Sequence, residues 1–184
     1  MEISLEEFKE IRIKEAELSN KLDTDEIDEN EYANEINRLK DRINKATNLK
    51  RFSSKKKFLE FIKGNMKSYE EELKTIEHEA FHAEAKKRYG LDFYFYVLTE
   101  EKDNKAHPFI KTEPDHIKIK RMDQIKRTIF NIEVLTAPYN MSARDINDLK
   151  ILLNRVRRYK KFTPQQKELL IDMAVKLANK KRPG

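Results

Sequence analysis

The sequence predicts a predominantly α-helical α+β protein, in which a helical hairpin precedes a central helix, a small antiparallel sheet and a set of C-terminal helices. Two properties of the composition favour helices over sheet. Charged residues make up 39% of the 184 residues, and the chain contains three glycines and five prolines, so turn signals are few. One run rich in aromatic residues, 91–99, provides the strongest strand signal and adds the β component.

These patterns divide the chain into three segments. Residues 1–50 predict a helical hairpin arm, and residues 51–120 predict the central helix followed by the small sheet. Residues 121–184 predict a basic helical region, which either stands alone or forms one domain with residues 51–120.

The predicted arm consists of two amphipathic helices, over residues 4–22 and 29–47, joined by a short acidic link. Ser4 with Glu7 forms a capping box at the start of the first helix. A short link between two such helices indicates an antiparallel hairpin. The arm is either a packing element or spacer, or a surface for oligomerisation or partner docking.

The central helix is predicted over residues 69–89, since they contain no proline or glycine. Gly90 follows, as is typical of the position just past a helix C-terminus. At about 100° per residue, the larger apolar residues form one stripe, while His78 and His82 lie in a second stripe nearly opposite. This second face is either a functional site or another packing surface.

His78, Glu79 and His82 form the spacing His-Glu-x-x-His. Two histidines four residues apart lie one turn apart on the same helix face, so both imidazoles can bind one metal ion. Glu79 would lie next to the open position of that metal, where it can take a proton from bound water. The spacing resembles the motif of the zincin metallopeptidases. This resemblance implies a zinc ion held by both histidines, Glu79 as general base, and a peptide or protein substrate.

A zinc enzyme of this kind needs a third protein ligand. All four histidines of the chain lie between positions 78 and 116, which makes His107 and His116 the leading candidates. A carboxylate is the alternative, with Glu100 or Glu101 at about the right distance downstream of His82. His107 and His116 can equally be ordinary residues of a loop and a strand.

Three short strands are predicted after the central helix, over residues 91–99, 107–111 and 116–120. The second contains Pro108, which lacks a backbone N–H and therefore restricts that strand to an edge. The third alternates apolar and polar residues. We expect these strands to form a small antiparallel sheet packed on the central helix.

Three further helices are predicted in the C-terminal segment. The first covers residues 121–135. Ser142 with Asp145 forms a capping box at the start of the second, and Thr163 followed by Pro164 starts the third.

Basic residues are concentrated towards the C-terminal end. Residues 151–184 contain ten Lys and Arg and two Asp and Glu, whereas residues 1–50 contain nine and fourteen. Cationic side chains can neutralise the phosphates of a nucleic acid. The candidates are Lys55, Lys56, Arg155, Arg157 and Arg158. The alternative interpretation is a solvated connection for the two lysines and an interaction with a helix dipole for the three arginines.

Two functions therefore compete. The first is a zinc-binding, zincin-like hydrolase, and the second is a non-enzymatic nucleic-acid-binding or assembly protein of a phage or mobile element. The absence of cysteine excludes disulfides and thiolate zinc sites. The acidic N-terminal residues do not resemble a signal peptide, and no apolar run approaches a membrane span. We expect a cytoplasmic protein that does not bind membranes.

Overall fold

The computed structural model describes residues 1–65, 70–100, 105–113 and 116–180. The chain forms two compact units. Residues 1–76 and 91–121 form the first unit, and residues 77–90 and 122–184 form the second. The hairpin shares a core with the sheet in the first unit, and the end of the central helix belongs with the C-terminal helices in the second.

The described residues confirm the predominantly helical α+β class. No helix among them is both long and apolar enough to cross a membrane. In chain order the elements are α1 (Leu5–Asp23), α2 (Glu29–Asn44), β1 (Leu49–Phe52), α3 (Lys55–Asn65), α4 (Glu70–Lys87), β2 (Phe93–Glu100), β3 (Lys105–Thr112), α5 (His116–Lys120), α6 (Gln124–Thr136), α7 (Ala143–Arg158) and α8 (Pro164–Asn179).

The sheet of the first unit has the order β1-β2-β3, with both pairs antiparallel. Residues 95–98 of the central strand β2 are all buried, so both faces of this strand are covered. The hairpin packs on one face, where Phe8 of α1 contacts Tyr96. On the other face Phe58 of α3 stacks on Phe95, with ring centroids 4.8 Å apart. Covering both faces explains why the strand is a continuous apolar run rather than an alternating one.

Asn48 ties the N-terminal residues to the central strand. Its Oδ1 accepts a hydrogen bond from the backbone N–H of Ile3 at 2.9 Å. Its Nδ2 donates to the carbonyls of Ile3 and Thr99, both at 2.8 Å. One side chain thereby satisfies backbone groups from two distant segments, which fixes the hairpin on the sheet.

Two short segments differ from the sequence-based expectation. Residues 116–120 form the helix α5 rather than a third strand, because Ile117 packs against Leu22, Tyr32 and Ile36 of the hairpin. The third strand is instead β1 (Leu49–Phe52), which lies between the predicted hairpin and Lys55 and was not predicted as a strand. Five alternating residues carry too little information to separate a strand from one helical turn, so tertiary contacts decide.

The second unit is built on the helices α6, α7 and α8. Its core contains Ile132, Leu149, Val156, Phe162, Leu170 and Ala174. The predicted capping box of α7 is present, with Ser142 as the N-cap residue. Thr163 and Pro164 start α8 as predicted, and Gln166 adds a capping box that the sequence analysis did not predict. Each cap satisfies backbone N–H groups in the first helical turn and defines where its helix begins.

A buried ion pair connects α1 with β3 in the first unit. Lys111 Nζ lies 3.1 Å from Glu15 Oε2, and the two side chains are 6% and 9% exposed. Burial raises the pKa of the Glu15 carboxyl above its usual value, although the charge of Lys111 and its hydrogen bond act in the opposite direction. Each charge is therefore stabilised mainly by the other.

Substituting either partner alone should destabilise the protein strongly, because the remaining charge would stay buried without compensation. We expect Glu15→Gln and Lys111→Met each to lower the free energy of unfolding by about 3–5 kcal/mol. The double variant Glu15→Leu with Lys111→Met should recover most of that loss, since it buries no charge. Urea unfolding monitored by circular dichroism measures these changes. Single variants as stable as the Glu35→Gln control, which alters an exposed pair with Arg38, would contradict the expectation.

Candidate metal centre

The last turns of α4 place His78 and His82 side by side. Their ring centroids are 5.1 Å apart and the ring planes are inclined by 77°. The side chains are 25% and 12% exposed, so this face of the helix is only partly accessible to solvent. Ala85, on the same face one turn later, is completely buried. The second stripe of α4 is therefore a packing face that also presents two imidazoles.

Asp145 provides a carboxylate to both histidines. It is the third residue of α7, and its side chain accepts a hydrogen bond from the backbone N–H of Ser142 at 3.0 Å. The Asp145 backbone N–H donates to Ser142 Oγ at 3.1 Å, which completes the capping box. A negative charge is favoured at a helix N-terminus. The cap that starts α7 therefore also orients a carboxylate that is 9% exposed.

The three side chains form a compact group of possible metal ligands. Asp145 Oδ2 lies 2.7 Å from His78 Nε2, and Asp145 Oδ1 lies 3.2 Å from His82 Nε2. One ligand atom from each residue can be chosen such that all three lie within 4.8 Å of one another. No other such group occurs in the part of the chain that the structure describes.

The backbone of α6 orients the ring of His82. His82 Nδ1 lies 2.6 Å from the carbonyl oxygen of Val134. A carbonyl can only accept, so Nδ1 carries the proton and Nε2 is the nitrogen directed at Asp145. Histidines that bind metals almost always donate their other ring N–H to a carbonyl or carboxylate in this way.

This orientation favours a cation close to His82 Nε2 and Asp145 Oδ1. With Nδ1 protonated, a neutral imidazole would place its unprotonated Nε2 3.2 Å from a carboxylate oxygen of Asp145. Two electron-rich atoms at that distance repel each other. Either a proton on Nε2 or a metal ion bound to both atoms removes the repulsion.

The environment of Asp145 keeps its carboxylate ionised. Burial by itself would raise the pKa of this carboxyl. The hydrogen bonds from Ser142, the charge interaction with His82 and the hydrogen bond from His78 outweigh burial, so the pKa lies below its usual value. The group therefore presents a full negative charge to whichever cation occupies the site.

Tyr89 anchors the end of α4 to α6 close to the histidines. Its hydroxyl donates to Glu133 Oε2 at 2.8 Å, and its ring meets Phe130 edge-on with centroids 4.8 Å apart. Burial and the neighbouring carboxylate raise the pKa of Tyr89 to about 12. The hydroxyl thus remains a hydrogen-bond donor, which holds the two helices in register around the site.

The other predicted ligands lie in the first unit and do not belong to this group. His107 is on β3, where its Nε2 lies 3.6 Å from Glu100 Oε1. His116 is the first residue of α5, and its backbone N–H donates to the hydroxyl of Tyr32. Glu101 lies outside the described residues.

Glu79, the predicted general base, lies on α4 between the two histidines and is exposed. Its position is about 100° around the helix from His78. It therefore lies beside the histidine face rather than on it.

The five candidate contacts to nucleic acid are all exposed. Lys55 and Lys56 begin α3 in the first unit, and Arg155, Arg157 and Arg158 lie in the last turn of α7 in the second. Arg157 donates from Nη1 to Asn154 Oδ1 at 3.1 Å. The second unit contains 17 Lys and Arg against nine Asp and Glu, whereas the first contains 22 against 24.

Comparisons with protein-family models, with curated proteins and with solved structures found no match for this chain. The functional interpretation therefore depends on the residues of the site.

Asp145 is the site residue that the sequence analysis did not predict as a ligand. The sequence indicated Asp145 only as the acidic partner of Ser142 in a capping box, which is a local role within the first turn of α7. The second role arises because the box lies next to His78, which is 67 positions away in sequence.

Proposed function

We propose that the protein binds a zinc ion through His78, His82 and Asp145, and that it is a metal-dependent hydrolase, most simply a peptidase. The observation that carries the proposal is the orientation of His82. Its Nδ1 proton is committed to the carbonyl of Val134, and its Nε2 is directed at a buried carboxylate. A metal ion at this point would bind two otherwise repelling atoms.

The donor set suits zinc. Catalytic zinc sites combine three protein ligands, drawn from histidine and carboxylate side chains, with one open position. The partial exposure of His78, 25%, leaves a side of the group accessible to water and substrate. Two histidines and one carboxylate also suit ferrous iron, so the metal has to be identified by analysis of the protein.

In this proposal Glu79 accepts and delivers the proton. Bound zinc would lower the pKa of a water ligand and polarise the substrate carbonyl. Glu79, exposed beside the histidine face, would accept the proton of that water and would donate it to the leaving amine when the carbon–nitrogen bond breaks. Asp145 and His82 stay in place during the reaction, because Ser142 and Val134 hold them.

Purified protein without a His tag should contain about one zinc ion per chain after dialysis against a weak chelator. The variants His78→Ala, His82→Ala and Asp145→Asn should each bind zinc at least about tenfold more weakly, because each removes or weakens a ligand. Elemental analysis after gel filtration measures the content, and it also reports iron.

The matched controls are His107→Ala and His116→Ala, which remove histidines outside the group. Both should retain zinc, and circular dichroism should verify that every variant is folded. A wild-type protein without metal, or equal loss of metal in the controls, would refute the proposed site.

Glu79→Gln should separate metal binding from catalysis, since it keeps the side-chain volume and removes the base. We expect it to retain zinc and to reduce chelator-sensitive cleavage of fluorescently labelled casein by roughly 10²–10⁴-fold. Glu84→Gln, an exposed glutamate on the same helix, should cleave casein at the wild-type rate. Unchanged activity in Glu79→Gln would exclude it as the general base.

A second candidate function is nucleic-acid binding without catalysis. It is supported by the excess of basic residues in the second unit and by the exposure of Arg155, Arg157 and Arg158 at the end of α7. Cations at this density can neutralise several phosphates of a nucleic-acid backbone. An assembly protein of a phage or mobile element would act through such a surface.

For this second function, Arg157→Ala with Arg158→Ala should weaken binding to double-stranded DNA. The slope of log affinity against log salt concentration should also become shallower by about two, because two phosphate contacts are lost. Fluorescence anisotropy across a series of salt concentrations measures both quantities. Arg38→Ala, which changes an exposed arginine of the first unit, is the control. Binding that is absent in the wild-type protein, or equally reduced by the control, would reject the nucleic-acid function.

A further inference from the structure

The second unit contains a cavity that the metal centre does not use. Its volume is about 760 Å³. The walls are formed by the end of α6, the loop at residues 137–142, the middle of α7 and the end of α8. Pockets for small molecules typically have volumes of about 300–1,000 Å³. The cavity is thus large enough for a ligand rather than for a few waters.

The floor of the cavity is apolar. Its apolar lining includes Met141, Ile146, Leu149, Leu153 and Leu177. Ile146 remains 44% exposed in the unliganded protein. An apolar body placed here would remove this surface from water, which favours binding.

The charged residues that line the cavity are of one sign. Lys150 on α7 and Lys180 after α8 are both exposed, and no carboxylate lines the cavity. Neither lysine forms an ion pair with the described residues of the chain. Asn140 and Asn179 add amide groups that can donate hydrogen bonds. The polar part of the lining is therefore complementary to an anion.

We propose that this cavity binds a small organic anion with an apolar body, namely a medium-chain carboxylate. The alkyl chain lies on the apolar floor, and the carboxylate is held between Lys150 and Lys180. The lining positions on α7 run from Ile146 to Leu153, a distance of about 10 Å along the helix. That length matches one short alkyl chain better than an extended peptide, which would need a longer groove.

The two lysines also explain why a nucleic acid is not the expected occupant. Backbone binding depends on many cations along a surface, whereas two, Lys150 and Lys180, line the cavity. The candidate contacts to nucleic acid at Arg155, Arg157 and Arg158 do not line it. The ligand site requires no metal, so it can be tested with a chelator present. If decanoate does not bind, that result would refute the cavity as a ligand site and would say nothing against metal binding at His78, His82 and Asp145.

The test is isothermal titration of the full chain in chelator with two probes that share the same tail, decanoate and decyltrimethylammonium. Decanoate should bind at least about tenfold more tightly than decyltrimethylammonium, because both lysines attract the anion and repel the cation. Absence of decanoate binding, or equal affinity for both probes, would overturn the proposal.

Matched variants locate the site. Ile146→Asp should reduce decanoate affinity at least tenfold, while Ile151→Asp, an equally exposed isoleucine of α7 outside the cavity, should not. Lys150→Met with Lys180→Met should abolish the preference for the anion, whereas Lys176→Met should retain it. Equal effects in a variant and its control would show that decanoate binds elsewhere and would refute the assignment.

Discussion

The carboxylate of Asp145 is a buried negative charge, and the second unit surrounds it with groups that keep it ionised. Ser142 donates a backbone N–H to it, and His78 and His82 approach it from α4. Burying a charge without partners is costly, so these contacts stabilise the carboxylate at the point where α4 and α7 meet. The carbonyl of Val134 adds the link to α6 by orienting His82. Three helices thus meet at one ionised group.

The same contacts explain why a metal ion is a chemically consistent occupant. Asp145 Oδ2 lies 2.7 Å from His78 Nε2, and Asp145 Oδ1 lies 3.2 Å from His82 Nε2. A metal ion would replace these direct contacts by binding one atom of each residue, with each bound imidazole nitrogen unprotonated. Binding of a metal would therefore be coupled to the stability of the packing between α4, α6 and α7. The residues that could hold a metal ion are therefore also residues through which α4 contacts α7.

In the first unit, a highly charged chain covers both faces of a three-stranded sheet. Phe8 and Phe58 approach β2 from opposite faces. Asn48 and the pair Glu15–Lys111 connect segments that are distant in sequence. These polar contacts are buried, so they constrain which segments can pair more than apolar contacts do.

Most of the local structure could be predicted from the sequence, because caps and periodicity involve residues within a turn or two. Ser142 and Thr163 mark the starts of α7 and α8, Gly90 follows α4 with a positive φ of 83°, and residues 93–100 form the central strand. The spacing of His78 and His82 likewise placed both imidazoles on one helix face. Residues 49–52 were not predicted as a strand, and residues 116–120 were predicted as a strand but form a helix, because short segments depend on their neighbours in space.

What the sequence by itself determined was the pair of histidines on one helix turn, the helical ends and the excess of basic residues towards the C-terminal end. Only the tertiary structure decided that Asp145 lies between those histidines and that Val134 orients one of them. These contacts join residues 52 and 67 positions apart. They arise where α4 contacts α6 and α7, and patterns among residues that are close in sequence do not predict which helices come into contact.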